Sequence, residues 1–395
     1  MNKILWLCSW YPHPGDPYEG DFIQRHAKAL SIYAPVTVFY VSQDGRSKNV
    51  AADKVIEQQT GRINERIIFF RFKKTGIRII DKLVYNFRYY QTYKKNVQAY
   101  IAKEGKPAIV HIHVPMKAGM MGRWIKKRWG IPYIISEHSA HYTGNTDDDF
   151  SAKSFFHRYN VKQVFRNADA VTNVSAIIGS KLKELFGIGE VRVIHNTVDT
   201  QFFHYQTRGI SKFRFIHVST LAAYHKNIDG MLRSFSQLIK KREDFELVIV
   251  GPASAVLKEQ ILQSGLASFV VFGGEISYPE VALQMQQASA LVLFSRYENF
   301  PCVVVEALSC GLPVIAADTG GIKEAVNETN GILVQSENEE ELTNALNRVM
   351  NEYDKFDREK IALDSAQRFS YEAIGKQFYD LYNEVISGKN GNNIS

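Results

Sequence analysis

The stretch of the 395-residue chain best equipped for chemistry is Ser295-Arg296-Tyr297-Glu298-Asn299-Phe300-Pro301-Cys302-Val303-Val304-Val305-Glu306-Ala307-Leu308-Ser309-Cys310-Gly311-Leu312-Pro313. It lies between two short apolar runs, 290–294 and 313–316, and so reads as strand, loop and then a helix over about 302–310. A loop that meets a helix start presents N–H groups without helical partners and the positive end of the helix dipole, a natural seat for a diphosphate. Two carboxylates bracket that start with seven residues between them. Glu298 sits in the loop and Glu306 one turn into the helix, so both can face a ligand lying across it. The bland alternative is a capping Glu and a surface Glu.

The elements that must position this loop are legible along the whole chain. Apolar runs at 4–8, 36–40, 67–72, 108–113, 133–136, 170–174 and 191–194 alternate with helical patterns such as 22–32, 84–103, 118–129 and 175–185. The scheme repeats with runs at 213–219, 246–250, 269–272, 290–294, 313–316 and 332–334. Val- and Ile-rich runs without polar alternation fit strands buried on both faces of a parallel sheet. Two such blocks predict an α/β protein of two doubly wound Rossmann-like domains, with ligands at the carboxyl ends of the strands. The aperiodic segment 196–212 places the boundary near 205. The expected parts are domains 1–205 and 206–372, a C-terminal helix 373–388 packing back on the first domain, and a flexible tail 389–395.

Several classes are excluded. No G-x-G-x-x-G follows the first strand and no G-x-x-x-x-G-K-[ST] occurs, which argues against a nicotinamide dehydrogenase and a P-loop NTPase. Cys8, Cys302 and Cys310 form neither a disulfide framework nor a zinc motif. No run approaches the ~18 apolar residues of a membrane span, so the expectation is a cytoplasmic protein, peripheral at most to the inner face of the cell membrane. The net charge of +7 is unevenly spread: residues 1–205 hold 30 Lys and Arg against 17 Asp and Glu, and the remainder 18 against 24. The basic half is expected to face something anionic.

The context Y-E-N-F-P-x-x-x-x-E-A-L-x-x-G-L-P-V-I resembles the E-x7-E signature of retaining family 4 glycosyltransferases of the GT-B fold, in which two Rossmann-like domains face each other across a cleft. Other elements follow in family order. Residues 10–20 with Gly20-Asp21-Phe22 resemble the first glycine-bearing loop, and Ile135-Ser136-Glu137-His138 the donor-side histidine after a strand. Ile194-His195-Asn196-Thr197-Val198-Asp199 is similar to the P-N-G-V-D element. His217-Val218-Ser219-Thr220-Leu221 with His225-Lys226-Asn227 resembles G-R-L…K-G, and Thr319-Gly320-Gly321 the T/V-G-G loop.

The resemblance implies transfer of a hexosyl or N-acetylhexosaminyl group from a nucleotide-diphosphate sugar, the co-substrate, to a saccharide or lipid-linked acceptor in surface polysaccharide or glycolipid synthesis. It implies no cofactor and no metal. Glu298, His138 and Lys226 would be the catalytic group: Glu298 at the reacting face of the donor sugar, Lys226 on the departing diphosphate, His138 on the donor sugar or the acceptor hydroxyl. Glu306 would hold the ribose hydroxyls as a bidentate acceptor. Asn299, Phe300, Pro301, Cys302, Val303, Thr220 and Asn196 would complete the donor site, and Gly20, Asp21, Gly320 and Gly321 the acceptor or phosphate loops. Two departures stand out. Thr220 replaces a common Arg, for which Arg296 or His225 is the expected substitute cation, and Pro301 removes a backbone N–H from the loop. His111, His113 and His141 have no evident metal-ligand partners and read as structural or acceptor-side. The alternatives to a transferase are a GT-B nucleotide-sugar epimerase and a degenerate binding protein.

Between 61 and 106, 12 Lys and Arg face only Glu65, Asp81 and Glu104, with nine aromatic residues interleaved. Three readings fit: core aromatics with a solvated rim, an anionic membrane surface, or nucleic acid. Without a recognition motif, nucleic acid is the least expected of them.

Overall fold

The computed structural model describes residues 2–43, 54–139, 142, 149–207, 209, 212–221 and 223–388. His141 and the tail 389–395 lie outside the described residues. The chain divides into two compact units, Met1–His195 with Ile374–Ser395, and Asn196–Ala373.

The first unit is built on an eight-stranded sheet: β1 (Ile4–Cys8), β2 (Val36–Gln43), β3 (Lys54–Thr60), β4 (Ile63–Phe70), β5 (Ile109–His113), β6 (Tyr133–Glu137), β7 (Ala170–Asn173) and β8 (Val191–Val193). Their order is β3-β4-β2-β1-β5-β6-β7-β8, and every pair is parallel except the β3–β4 hairpin. Residues of β1, β5 and β6 are buried throughout, as expected for strands covered on both faces. The helices Arg78–Glu104, Pro115–Trp129, Phe155–Arg166 and Ala176–Phe186 cover one face. Asp21–Ser31 and Tyr371–Ile386 cover the other, where Ile374, Phe378, Leu381 and Tyr382 join the core of the first unit.

Strand β3 and the helix Phe155–Arg166 were not expected. The first is polar and almost wholly exposed, an edge strand with no buried face to leave a pattern. The second points Phe155 and Phe156 outward, which obscures the stripe of Val161, Val164 and Phe165.

The second unit holds six parallel strands, β9 (Phe213–Val218), β10 (Phe245–Val250), β11 (Val270–Gly274), β12 (Ala290–Leu293), β13 (Val314–Ala317) and β14 (Gly331–Val334), in the order β11-β10-β9-β12-β13-β14. The strand order reverses between β9 and β12, and in the first unit between β1 and β5. The boundary falls ten residues before the expected 205. The aperiodic segment is tied to the second unit by Asn196 Nδ2 donating to Phe300 O (2.6 Å), Thr197 Oγ1 to Phe369 O (2.8 Å) and Gln286 Nε2 to Phe202 O (2.9 Å).

Candidate functional site

At the switch point of the second unit, the loops leaving β9 and β12 bring together residues 72 positions apart. Lys226 Nζ lies 2.6 Å from Glu298 Oε1, with side-chain exposures of 20% and 10%. Lys226 ends a one-turn helix, Ala223–Lys226, and Asn227 follows with a left-handed φ of 48°. Arg296 holds that turn from the other loop. Its backbone N–H donates to His225 O (2.9 Å), Nη1 donates to Tyr224 O (2.7 Å), and Nε pairs with Glu337 (2.6 Å). The guanidinium expected to substitute for the missing cation at exposed Thr220 is therefore already engaged. It positions the segment that carries Lys226.

Below this pair, His217 is fixed by Val292 O on Nδ1 (2.9 Å) and Ser219 Oγ on Nε2 (2.8 Å). The carbonyl can only accept, so Nδ1 carries the proton and Nε2 accepts from the serine, whose oxygen also receives Leu221 N–H (3.0 Å). Burial pulls the His217 pKa down to about 4, with nearby Lys226 adding to it, so the ring is neutral.

Gly320 has φ +58°, and a Cβ there would lie 2.0 Å from Glu298 O. Gly321 N donates to Asn299 O (2.7 Å) and Thr319 Oγ1 to Arg296 O (3.1 Å). The double glycine thus seats directly under the Glu298 loop. Its close approach is to that backbone. Asn299 and Phe300 are buried, Pro301 caps the helix Cys302–Ser309, and Glu306, one turn in, is only 5% exposed. Asn196 reaches this loop through Phe300 O, and Cys302 and Val303 form the first helical turn. A cavity of about 1070 Å³ in the same unit is lined by Asn327, Asn330, Arg348 and Arg368, among others, and by none of these residues.

In the first unit, His138 follows β6 and is 9% exposed. Its Nε2 is 3.1 Å from His113 Nδ1, and Phe22, just after Gly20 and Asp21, packs against its ring at 4.9 Å. Gly20 takes φ +66° against the backbone of Trp10, where a Cβ would be 2.8 Å from the carbonyl carbon, and Asp21 pairs with Arg25 (3.2 Å). Burial, reinforced by the neighbouring histidines, drives the pKa of His138, His113 and His111 well below the usual value. Burial also takes His26 down to about 3. His26, His113 and His138 offer ring nitrogens within 4.8 Å of one another. The sequence hid this grouping because its members are far apart along the chain.

Two neighbours of these histidines were not singled out from the sequence. Glu137 is fully buried and its Oε1 accepts from His138 N, Ser139 N and Ser139 Oγ (each 2.9 Å), while Oε2 accepts from Tyr142 OH (2.8 Å). Burial raises its pKa, offset in part by those bonds, and the carboxylate fixes the backbone that carries His138. Tyr382, on the C-terminal helix, accepts from Trp6 Nε1 (3.1 Å), and its hydroxyl is also hydrogen-bonded to His111 Nδ1 (2.6 Å). The other ring nitrogen, Nε2, lies 2.7 Å from Ser136 Oγ, itself 2.6 Å from Thr172 Oγ1, so the His111 ring is held at both ends. Only the proximity of Glu137 to His138 could have signalled the first. Nothing local signalled the second.

Two parallel-sheet units, with a cation and two carboxylates gathered where the second sheet's order reverses, define a protein of the GT-B class. Residues 204–373 match Glycosyl transferases group 1 and residues 35–202 match Glycosyltransferase Family 4. The chain belongs to the family 4 glycosyltransferases. It is 23% identical over 309 residues to alpha-monoglucosyldiacylglycerol synthase of Streptococcus pneumoniae, covering 73% of this chain and 69% of that one. Matches to curated relatives span about two thirds of their length, 65% and 66% in two cases. The fold resembles sucrose-phosphate synthase of Thermosynechococcus elongatus (TM-score 0.77, 20% identity, 98% and 100% of the two chains). It also resembles the Anabaena protein HepE in complex with UDP (TM-score 0.75, 20% identity, 97% and 100%).

Proposed function

We propose that this chain transfers a sugar, with retained anomeric configuration and without a metal, from a nucleoside-diphosphate sugar to a saccharide or lipid-linked acceptor. The observation that carries the reading is the Lys226–Glu298 contact of 2.6 Å, shielded from solvent at the carboxyl ends of β9 and β12. A diphosphate leaving group develops negative charge as its bond to the sugar breaks, and a preorganised ammonium stabilises that charge without solvent reorganisation. Lys226 is that ammonium. Glu298 orients it and faces the sugar, where positive charge develops at the anomeric carbon. Glu306 accepts from the ribose hydroxyls. His138, neutral through burial, accepts a hydrogen bond from a sugar hydroxyl or donates one to it.

A uridine diphosphate sugar is the expected donor, in keeping with the UDP bound by HepE. A lipid-linked acceptor fits both the basic first unit and the kinship with a diacylglycerol glucoside synthase. Such an acceptor would place the protein at the anionic inner face of the cell membrane. No helix among the described residues is long and apolar enough to cross a membrane. Donor turnover by the purified chain, assayed with and without a chelator, tests the reading. Turnover that survives chelation and is lost in Glu298→Ala supports it, and failure of every nucleotide sugar to bind or react overturns it.

A further inference from the structure

The helix Arg78–Glu104 changes character along its length. In its second half Tyr89, Tyr93, Val97 and Tyr100 are buried in the core. Its first two and a half turns behave in the opposite way. Ile79, Leu83 and Phe87 are 73%, 65% and 63% exposed, and Ile80 and Val84 are exposed beside them. Positions 79, 80, 83, 84 and 87 recur at helical spacing and so form one stripe. Tyr85, between them in sequence, turns the other way onto Phe70 (5.3 Å between rings). The stripe therefore lies on the solvent side, the reverse of a helix packed on its own core.

The polar surroundings have one sign. Lys73, Lys74, Arg78 and Lys82 are all exposed around the stripe. The single acid in this stretch, Asp81, accepts from Thr75 N (2.6 Å), Thr75 Oγ1 (2.7 Å) and Gly76 N (3.3 Å), and so folds the preceding turn against the helix start. Most aromatics of the basic stretch are sorted inward, leaving Phe87 as the one large exposed ring of the stripe. Aliphatic Ile, Leu and Val offer nothing for bases to stack on, which disfavours a nucleic acid. An apolar strip rimmed by cations matches the boundary of an anionic bilayer, where headgroup charge and acyl chains are met together.

We propose that the helix start 78–87 docks on an anionic membrane, with the five apolar side chains inserted at the headgroup boundary and the four cations on lipid phosphates. The proposal draws on the transfer reading only for the idea of a lipid-linked acceptor. Docking itself requires no turnover.

The test is co-sedimentation of the full chain with vesicles of phosphatidylcholine alone or mixed with phosphatidylglycerol. Binding is expected to the mixed vesicles, reduced about tenfold or more in Leu83→Glu/Phe87→Glu and in Lys73→Gln/Lys74→Gln, the latter with a shallower salt dependence. These side chains are exposed, so melting temperature and donor turnover in solution should match the parent, which separates failure of docking from failure of the transfer reading. Equal binding by all variants, or equal binding to neutral vesicles, overturns the proposal. So does self-association that the Leu83→Glu/Phe87→Glu variant abolishes in a chain that ignores vesicles, because the stripe would then seat a second copy.

Discussion

Lys226 Nζ sits 2.6 Å from Glu298 Oε1, joining the loops after β9 and β12 at the point where the sheet order reverses. A largely shielded ammonium already matched by a carboxylate is oriented before any ligand arrives. An arriving diphosphate adds to that field or takes over part of it. The two side chains form one unit, and the unit can be dissected.

Lys226→Ala is expected to lower transfer by about 10²- to 10³-fold, the scale for removing one preorganised donor from developing negative charge. Glu298→Gln should fall comparably, since the amide keeps the shape and loses the charge. The double variant should lose much less than the product of the two, because either single change already breaks the pair. Steady-state kinetics of the four proteins check this. A strictly multiplicative loss would show that the contact has no part in the reaction.

Glu306 lies one turn into the helix Cys302–Ser309 and is nearly buried. Glu306→Ala removes two acceptors from the proposed ribose site, so the nucleotide-dependent rise in melting temperature should shrink or vanish. The expected loss in donor affinity is about tenfold or more, from about 1.5–3 kcal/mol per hydrogen bond to a charged group. Calorimetric titration with UDP checks it, and wild-type affinity in the variant would contradict the ribose role.

Gly320 supports Glu298 from beneath, and its φ of +58° and the 2.0 Å approach of a built Cβ to Glu298 O leave no room for a side chain. Gly320→Ala should therefore cost about 2 kcal/mol or more of stability, through backbone strain and overpacking together. It should also shift the Glu298 loop and depress transfer more than nucleotide binding. Chemical denaturation combined with kinetics tests this, and unchanged stability would rule out the supporting role.

Much of the second unit was legible from the sequence because its strands are short, apolar and bounded by loops that carry the candidate site. Glu298 and Glu306 carried a signal in their type and spacing, whereas Lys226 and Gly320 stood out only through their resemblance to the family's K-G and T/V-G-G elements. The histidine cluster was not legible: His111 and His113 share β5, His138 follows β6 and His26 lies on the helix Asp21–Ser31, and only sheet order and helix packing make them neighbours. Tyr382 is further still, 271 residues from His111. Arg296 shows the opposite failure. Its position by Lys226 was anticipated, but the ion pair to Glu337, 41 residues on, had no sequence signature.

The histidine cluster makes the stability of the first unit depend on pH in a defined direction. His26 titrates at about 3 when folded, held down chiefly by burial, against about 6.5 when unfolded. His111, His113 and His138 are lowered in the same sense and for the same leading cause. Between those limits the unfolded chain binds more protons than the folded one, so stability rises with pH across the window and falls on acidification below about 6.5. Each such histidine contributes a slope of up to about 1.4 kcal/mol per pH unit. The melting temperature should therefore drop steadily from pH 6.5 toward pH 4, and His26→Phe should flatten the curve even where it lowers stability at pH 7. Tyr382→Phe, which removes the hydroxyl bonded to His111 Nδ1 and Trp6 Nε1, should cost about 1–3 kcal/mol at neutral pH. It should leave the acid slope in place, because the buried rings remain. Thermal melts of the three proteins from pH 4 to pH 8 separate these effects, and a parent curve flat below pH 6.5 would mean that the cluster is already charged in the folded state.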